Sequence, residues 1–348
     1  MKTHTRLSAA ALLALLPLAS VAAQELPLRE HAARRGFHVG AAVAVRPLKA
    51  DPRYRETLRR EFNMVVAENA FKWSELRPSR RRFDFKGADQ IVEFAQANRM
   101  AIRGHTLVWH RQAPRWLTQG KFTREEVVGL LREHIRTVMG RYRGKIAAWD
   151  VVNEAVDDET GGFRTNSFWY RALGPEYVEL AFRFAREADP DAVLYYNDYS
   201  AEGMNKKADG VYKLLADLKS RGVPVDGVGW QMHEINGFSV GDGHRENAKR
   251  LIALGLELSI TEMDVRMKVP APAADYEQQA AGYAAAAEFC LSEPSCKAFV
   301  LWGLADKYSW IPGEFPGWGD GLIYDADWRP KPAYFALRRA LREAGPRP

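Results

Sequence analysis

Two glutamates carry the most chemically informative positions in this chain. Glu154 lies in WDVVNEA (149–155), directly after a run of strand-forming residues, and Glu262 lies in SITEMDV (259–265), after a second such run. A carboxylate at the end of a strand marks the point where the backbone leaves the core. Two of them aimed at one substrate bond suit the hydrolysis of a glycosidic linkage. One, protonated, gives its proton to the leaving oxygen, and the other, ionised, meets the positive charge that develops at the sugar carbon. Either glutamate alone reads equally well as an ion-paired or solvated strand-end residue. The pair, with the amides and indoles around it, favours the functional reading.

Such a pair needs a scaffold that brings distant strand ends together. Eight apolar, strand-like runs follow one another at 37–43, 63–69, 101–109, 147–155, 192–199, 227–233, 257–264 and 298–304. Amphipathic helical patterns lie between them, at 87–99, 124–142, 177–188, 207–222 and 275–291, and a last one at 331–344 closes the sequence. Alternating strands and helices predict an α/β protein with a parallel sheet. No Gly-rich phosphate turn follows the first strand, so a TIM (β/α)8 barrel fits better than an open doubly wound sheet. No linker, low-complexity tract or repeat divides the chain, which is read as a single domain. In a barrel the chemistry sits where the strands end. Those ends carry Glu68 and Asn69, His105 and Trp109, Asn153 and Glu154, Asn197 and Asp198, Gln231 and His233, Glu262 and Asp264, and Trp302. Carboxylates, amides, imidazoles and indoles in those places predict one concave, polar site.

Composition narrows the partners. Of 348 residues, 47% are hydrophobic and 10 are Trp, enough for a large core with aromatic faces left over for stacking on sugar rings. Net charge is only +6, two of those charges coming from Lys2 and Arg6, and no basic run is interleaved with aromatics. Nucleic acid is therefore not an expected partner. Residues 1–23 combine Lys2 and Arg6, an apolar run and small residues ending in VAA, the pattern of a cleavable secretory signal. The mature domain is expected over 24–348, exported and free of the membrane after cleavage. Cys290 and Cys296 are six residues apart in a chain expected to be exported, which favours a small disulfide loop over two free buried thiols. His105, His110 and His233 are spread over separate strand ends without metal-ligand spacing, so neither a metal nor another cofactor is expected.

The stretches GHTLVWH (104–110), WDVVNEA, GVGWQMH (227–233), ITEMDV (260–265) and LWGLADKYSWIPG (301–313) resemble, in order, the motifs of the family ten glycoside hydrolases, the endo-β-1,4-xylanases. The resemblance runs from the first strand to the last helix. It implies Glu154 as general acid/base and Glu262 as nucleophile of a retaining double displacement. It places Asn153 on the 2-hydroxyl of the attacked sugar, and His233 and Asp264 beside the nucleophile. His233 would keep Glu262 ionised, and the charge of Glu262 would favour the protonated form of Glu154. By the same resemblance Lys72, His105, Trp109, Gln231, Trp302 and Trp310 surround the attacked sugar, and Glu68, Asn69 and Gln112 bind one sugar further out. Asn197 and Tyr199 line the centre and the leaving-group side. The implied ligands are xylan and xylo-oligosaccharides, handled by a monomer. A glucan hydrolase and a silent carbohydrate-binding barrel are the alternatives, because a fold does not fix its ligand. Three positions depart from the usual motifs: Arg111, Ser200 and Ala305, where a small polar residue, an Asn and a Thr or Ser are common.

Overall fold

Runs that are apolar on both faces can be buried only between two layers, and here they become the staves of a cylinder. The computed structural model describes residues 25–345; the predicted signal segment, 1–23, lies outside them. The barrel strands are β1 (His38–Val43), β2 (Met64–Ala67), β3 (Ala101–Trp109), β4 (Ala148–Asn153), β5 (Val193–Asp198), β6 (Gly227–Trp230), β7 (Glu257–Lys268) and β8 (Cys296–Leu301). Each pairs in parallel with the next, and β8 returns to β1 in the register His38 to Ala298 through Ala41 to Leu301, so the sheet has closed on itself. The outer ring is α1 (Pro52–Glu61), α2 (Lys86–Ala97), α3 (Arg124–Tyr142), α4 (Glu176–Ala188), α5 (Lys206–Ser220), α6 (Asp242–Ile252), α7 (Ala273–Ser292) and α8 (Pro332–Glu343). This is the expected TIM barrel. No helix among the described residues is long and apolar enough to cross a membrane.

Local chemistry sets the helix starts. Asp51 caps α1 by accepting from the amides of Arg53 and Tyr54, with Pro52 at the first turn, and Thr123 and Glu126 form a reciprocal capping box at α3. Close approach demands glycine at two places. A Cβ on Gly104 would lie 2.1 Å from the Trp149 ring, and one on Gly229 would lie 2.2 Å from Asn197 Oδ1. The second glycine leaves room for a side chain of the site described below.

The barrel interior has two characters. On the β1, β2 and β8 side Ala42, Met64, Val66, Ala298, Val300 and Trp302 form their own apolar cluster. Across from them the interior is charged: Arg103 is buried against Asp150, its Nε 3.0 Å from Oδ1, with its guanidinium 4.2 Å above the Tyr195 ring. Asp150 Oδ2 lies 3.0 Å from His105 Nδ1, which links this ion pair to the mouth of the barrel. The disulfide Cys290–Cys296 ties the end of α7 to the start of β8, at the opposite face.

Candidate active site

The polar strand ends converge at the mouth of the barrel. Glu154 follows the last residue of β4, and Glu262 lies within β7. Two strands separate these staves on one side and four on the other. Both carboxylates are buried, at 8% and 3% exposure, and amide side chains join them. Asn197 Nδ2 donates to Glu262 Oε1 at 2.7 Å and to Asn153 Oδ1 at 2.9 Å, while Asn153 Nδ2 donates to Glu154 Oε1 at 3.1 Å. Gln231 Nε2 reaches both Asn153 Oδ1 and Glu154 Oε1 at 3.2 Å. Thr261 Oγ1 donates to Asn197 Oδ1 at 2.7 Å, fixing which way that amide faces. Trp109 Nε1 completes the surroundings of Glu154 by donating to Oε2 at 2.8 Å.

Glu262 is held as an anion. Burial alone would push its pKa up, but the imidazole of His105 and a hydrogen bond from His233 outweigh it, and the carboxyl titrates below its ordinary range. His233 lies between two carboxylates, its Nε2 3.2 Å from Glu262 Oε2 and its Nδ1 3.1 Å from Asp264 Oδ2. Burial opposes its charge, yet Asp264 first and Glu262 second hold its pKa up to about 10. A cationic ring donates from both nitrogens, so each carboxylate receives a proton-bearing partner. Trp310 Nε1 also donates to Asp264 Oδ2, at 2.7 Å, and its ring lies 4.8 Å from that of His233.

One wall comes from the loop after β2. Lys72 Nζ donates to Asn69 Oδ1 at 3.0 Å, Gln112 Nε2 donates to the same oxygen at 3.2 Å, and Asn69 Nδ2 donates to Glu68 Oε1 at 3.2 Å. Lys72 Nζ stands 4.7 Å from the Trp109 ring and 5.9 Å from that of Trp302, whose other neighbour is His105, with centroids 5.2 Å apart. Burial lowers the pKa of Lys72, with Glu262, Glu68 and Glu154 pulling the other way, and burial raises that of Glu68. Apart from Tyr199, the side chains expected around the two glutamates meet at one mouth. Tyr199 stands apart from the carboxylates, with its hydroxyl donating to Asp158 Oδ2 at 2.5 Å and Lys207 Nζ 3.3 Å from its ring.

Sequence reasoning gave no role to several residues packed here. His110 Nδ1 is 3.8 Å from Glu154 Oε2; burial, with Arg164 and Arg111 nearby, drops its pKa to about 4, so the ring is neutral where most proteins work. Arg164 donates from Nε to the carbonyl of Glu154 at 3.3 Å. Asp198, named only as a strand end, accepts from Lys207 Nζ at 2.8 Å, and burial raises its pKa to about 6. Gln112, Glu154, Ser200 and Met232 all have φ between 49° and 56°, each shortly after a barrel strand. Non-glycine residues in this left-handed region are strained, and such strain clusters at functional sites. Asn enters it more readily than Ser, so the Ser200 departure sits at a costly position.

The same arrangement has close relatives. The sequence model of the family described as Glycosyl hydrolase family 10 matches residues 27–340. Endo-1,4-beta-xylanase B of Thermotoga neapolitana is 43% identical over 330 residues, covering 94% of each chain. Among solved structures, native xylanase 10B from Thermotoga maritima superposes with a TM-score of 0.88 at 44% identity, over 91% of this chain and 98% of that one. Xylanase 10B from Thermotoga petrophila RKU-1, solved with xylobiose, gives 0.89 at 44% identity, over 92% and 98%. With its motifs in order, its barrel closed and its two buried glutamates joined through amides, this chain belongs to glycosyl hydrolase family 10.

Proposed function

We propose that this chain is an exported endo-1,4-β-xylanase that cleaves internal bonds of the xylan backbone with retention of configuration. Glu262 attacks the anomeric carbon while Glu154 passes its proton to the leaving oxygen, which leaves a glycosyl ester on Glu262. Glu154 then takes a proton from water, the water attacks the same carbon, and Glu262 departs. The observation that carries the reading is the unequal setting of the two glutamates: Glu262 lies beside a cationic His233, whereas Glu154 lies among uncharged Trp and amide donors. An ionised nucleophile and a separate proton carrier are what a double displacement requires.

The remaining side chains suit a flat, hydroxyl-rich chain. The indoles of Trp109, Trp302 and Trp310 offer faces for pyranose rings, and Glu68, Asn69, Lys72 and Gln112 offer hydrogen bonds to hydroxyls further along the non-reducing side. Asn153 reaches the 2-hydroxyl of the attacked sugar, and Tyr199 borders the leaving side. The relative from Thermotoga petrophila is described with xylobiose, a ligand of this chemistry. Residues 1–23 act as the export signal, and the protein works as a monomer.

The test is hydrolysis of linear xylan beside carboxymethyl cellulose, with the first products followed by anomer-resolved NMR. Xylan cleavage giving the β-anomer first is expected. Preferential cleavage of the glucan, or the α-anomer appearing first, overturns the assignment.

A further inference from the structure

We propose that Tyr196 and Asp198, together with Arg164, are positioning residues that clamp the proton donor from behind the barrel wall. The inference rests on the reading of Glu154 as general acid. Along β5 successive side chains alternate between faces. Asn197 points inward to Glu262, so Tyr196 and Asp198 point outward, and both are fully buried. Neither can touch a sugar.

What they touch is the backbone that carries Glu154. At φ 56° this residue turns sharply out of β4, and such a turn holds its shape only if its peptide groups are pinned. The Glu154 amide donates to the Asn197 carbonyl at 2.9 Å, and its carbonyl accepts from Arg164 Nε at 3.3 Å. The amides of Ala155 and Val156 both donate to the Tyr196 hydroxyl, at 3.0 and 3.3 Å. The carbonyls of Ala155 and Val156 accept from Arg164, from its backbone amide at 2.8 Å and its Nη2 at 3.1 Å. Every peptide group from 154 to 156 is thereby used.

The tyrosine is used to capacity. A phenol has one proton and two lone pairs. Its proton goes to Asp198 Oδ2 at 2.5 Å, which turns both lone pairs toward the two amides. Asp198 is fixed in turn by the Tyr199 amide at 3.0 Å and Lys207 Nζ at 2.8 Å, and Lys207 also binds Asp158 Oδ1 at 2.7 Å. Glu154 itself is held by Asn153, Gln231 and Trp109 on the cleft side, so its carboxyl position is set from both sides of the sheet.

A clamp that serves the acid differs from one that only serves stability in which substrates notice its loss. A xylo-oligosaccharide leaves as an alkoxide and needs the proton, whereas a dinitrophenyl β-xylobioside leaves as a stable phenolate without it. General acid catalysis contributes about 10²- to 10⁴-fold, and a displaced donor forfeits part of that. For Tyr196→Phe we expect kcat/KM on xylotetraose to fall about 10- to 100-fold, while kcat/KM on the dinitrophenyl glycoside, which reports only the first displacement, stays within about twofold. Arg164→Gln, at the edge of the loop, carries the same expectation should Tyr196→Phe fail to fold. Equal losses on both substrates, no loss on either, or unfolding of both variants overturns the clamp. Wild-type protein inactive on both substrates overturns the proposed function instead, so the two failures are distinguishable.

Discussion

Replacing His233 by asparagine probes the charge balance of the site most directly. The imidazole lies 3.2 Å from Glu262 Oε2 and 3.1 Å from Asp264 Oδ2, and with its pKa held up to about 10 it is a cation through the neutral range. At an effective dielectric of about 20, a unit charge at that distance from a carboxylate is worth roughly 5 kcal/mol. This is an upper bound, because His105 and Asn197 stay in place beside Glu262. Opposite charges at such range shift a carboxyl by about 1–3 pKa units, each about 1.4 kcal/mol. The cation now holds the Glu262 pKa down, so its loss lets Glu262 take up a proton at higher pH. The acid limb of kcat/KM, measured on a soluble xylo-oligosaccharide, should therefore move up by about 1–3 pH units. The same change strands Asp264, which is fully buried and among the described residues keeps only the Trp310 indole as a side-chain donor. Removing one member of a buried pair costs about 3–5 kcal/mol. The double variant His233→Asn, Asp264→Asn should recover much of that stability without restoring the acid limb. A folded His233→Asn protein with an unmoved acid limb would refute the role of Glu262 as the ionised partner.

Other perturbations give separate readouts. Arg103→Met leaves Asp150 buried without its guanidinium and should lower the stability from urea unfolding by about 3–5 kcal/mol; an unchanged midpoint would show that the pair is not coupled. Changing Cys290 and Cys296 to serine opens a loop of sequence separation 6, which should cost about 2 kcal/mol and leave kcat unchanged, since the bridge sits at the far face of the barrel. His134 is buried, stacks on Trp73 with centroids 3.7 Å apart, and has neither ring nitrogen hydrogen-bonded among the described residues. Burial, helped by Arg77, drives its pKa well down. The unfolded chain takes up this proton below about pH 6.5 and the native one does not, so its contribution is present above that pH and is lost at about 1.4 kcal/mol per unit as pH falls. His134→Phe should flatten the fall of Tm between about pH 6.5 and 5, and a slope equal to wild type would contradict the burial argument.

The sequence displayed what depends on pattern and concealed what depends on direction. The run 101–109 and the helix 124–142 coincide with β3 and α3, the first bounded by apolar residues at both ends and the second opened by a Thr-x-x-Glu cap. The run 227–233 breaks in two: β6 ends at Trp230, and His233–Ile235 pairs separately with β7 after Met232 enters the left-handed region. That pairing, with Trp318–Gly319 on the other edge, carries β7 on to Lys268, beyond the expected end at 264. Glu154 and Glu262 stood out because carboxylates at strand ends break an apolar pattern. Arg103 and Lys207 did not, since a basic residue in a strand or in a first helical turn reads as solvated until a partner from another element is seen. Tyr196 looked like ordinary core; only the alternation in YYNDY, with amide inward and phenol outward, could have hinted at its place.

The seam between β8 and β1 joins strands from the two ends of the folded chain. Until β8 docks, the half-built cylinder has two bare rims of unpaired amides and carbonyls, open to any neighbouring chain. Native pairing therefore comes late and over a long loop, which slows closure relative to local helix formation. For a polypeptide expected to pass through a membrane before it folds, this order has a use: the sheet cannot be sealed while the last strand is still behind.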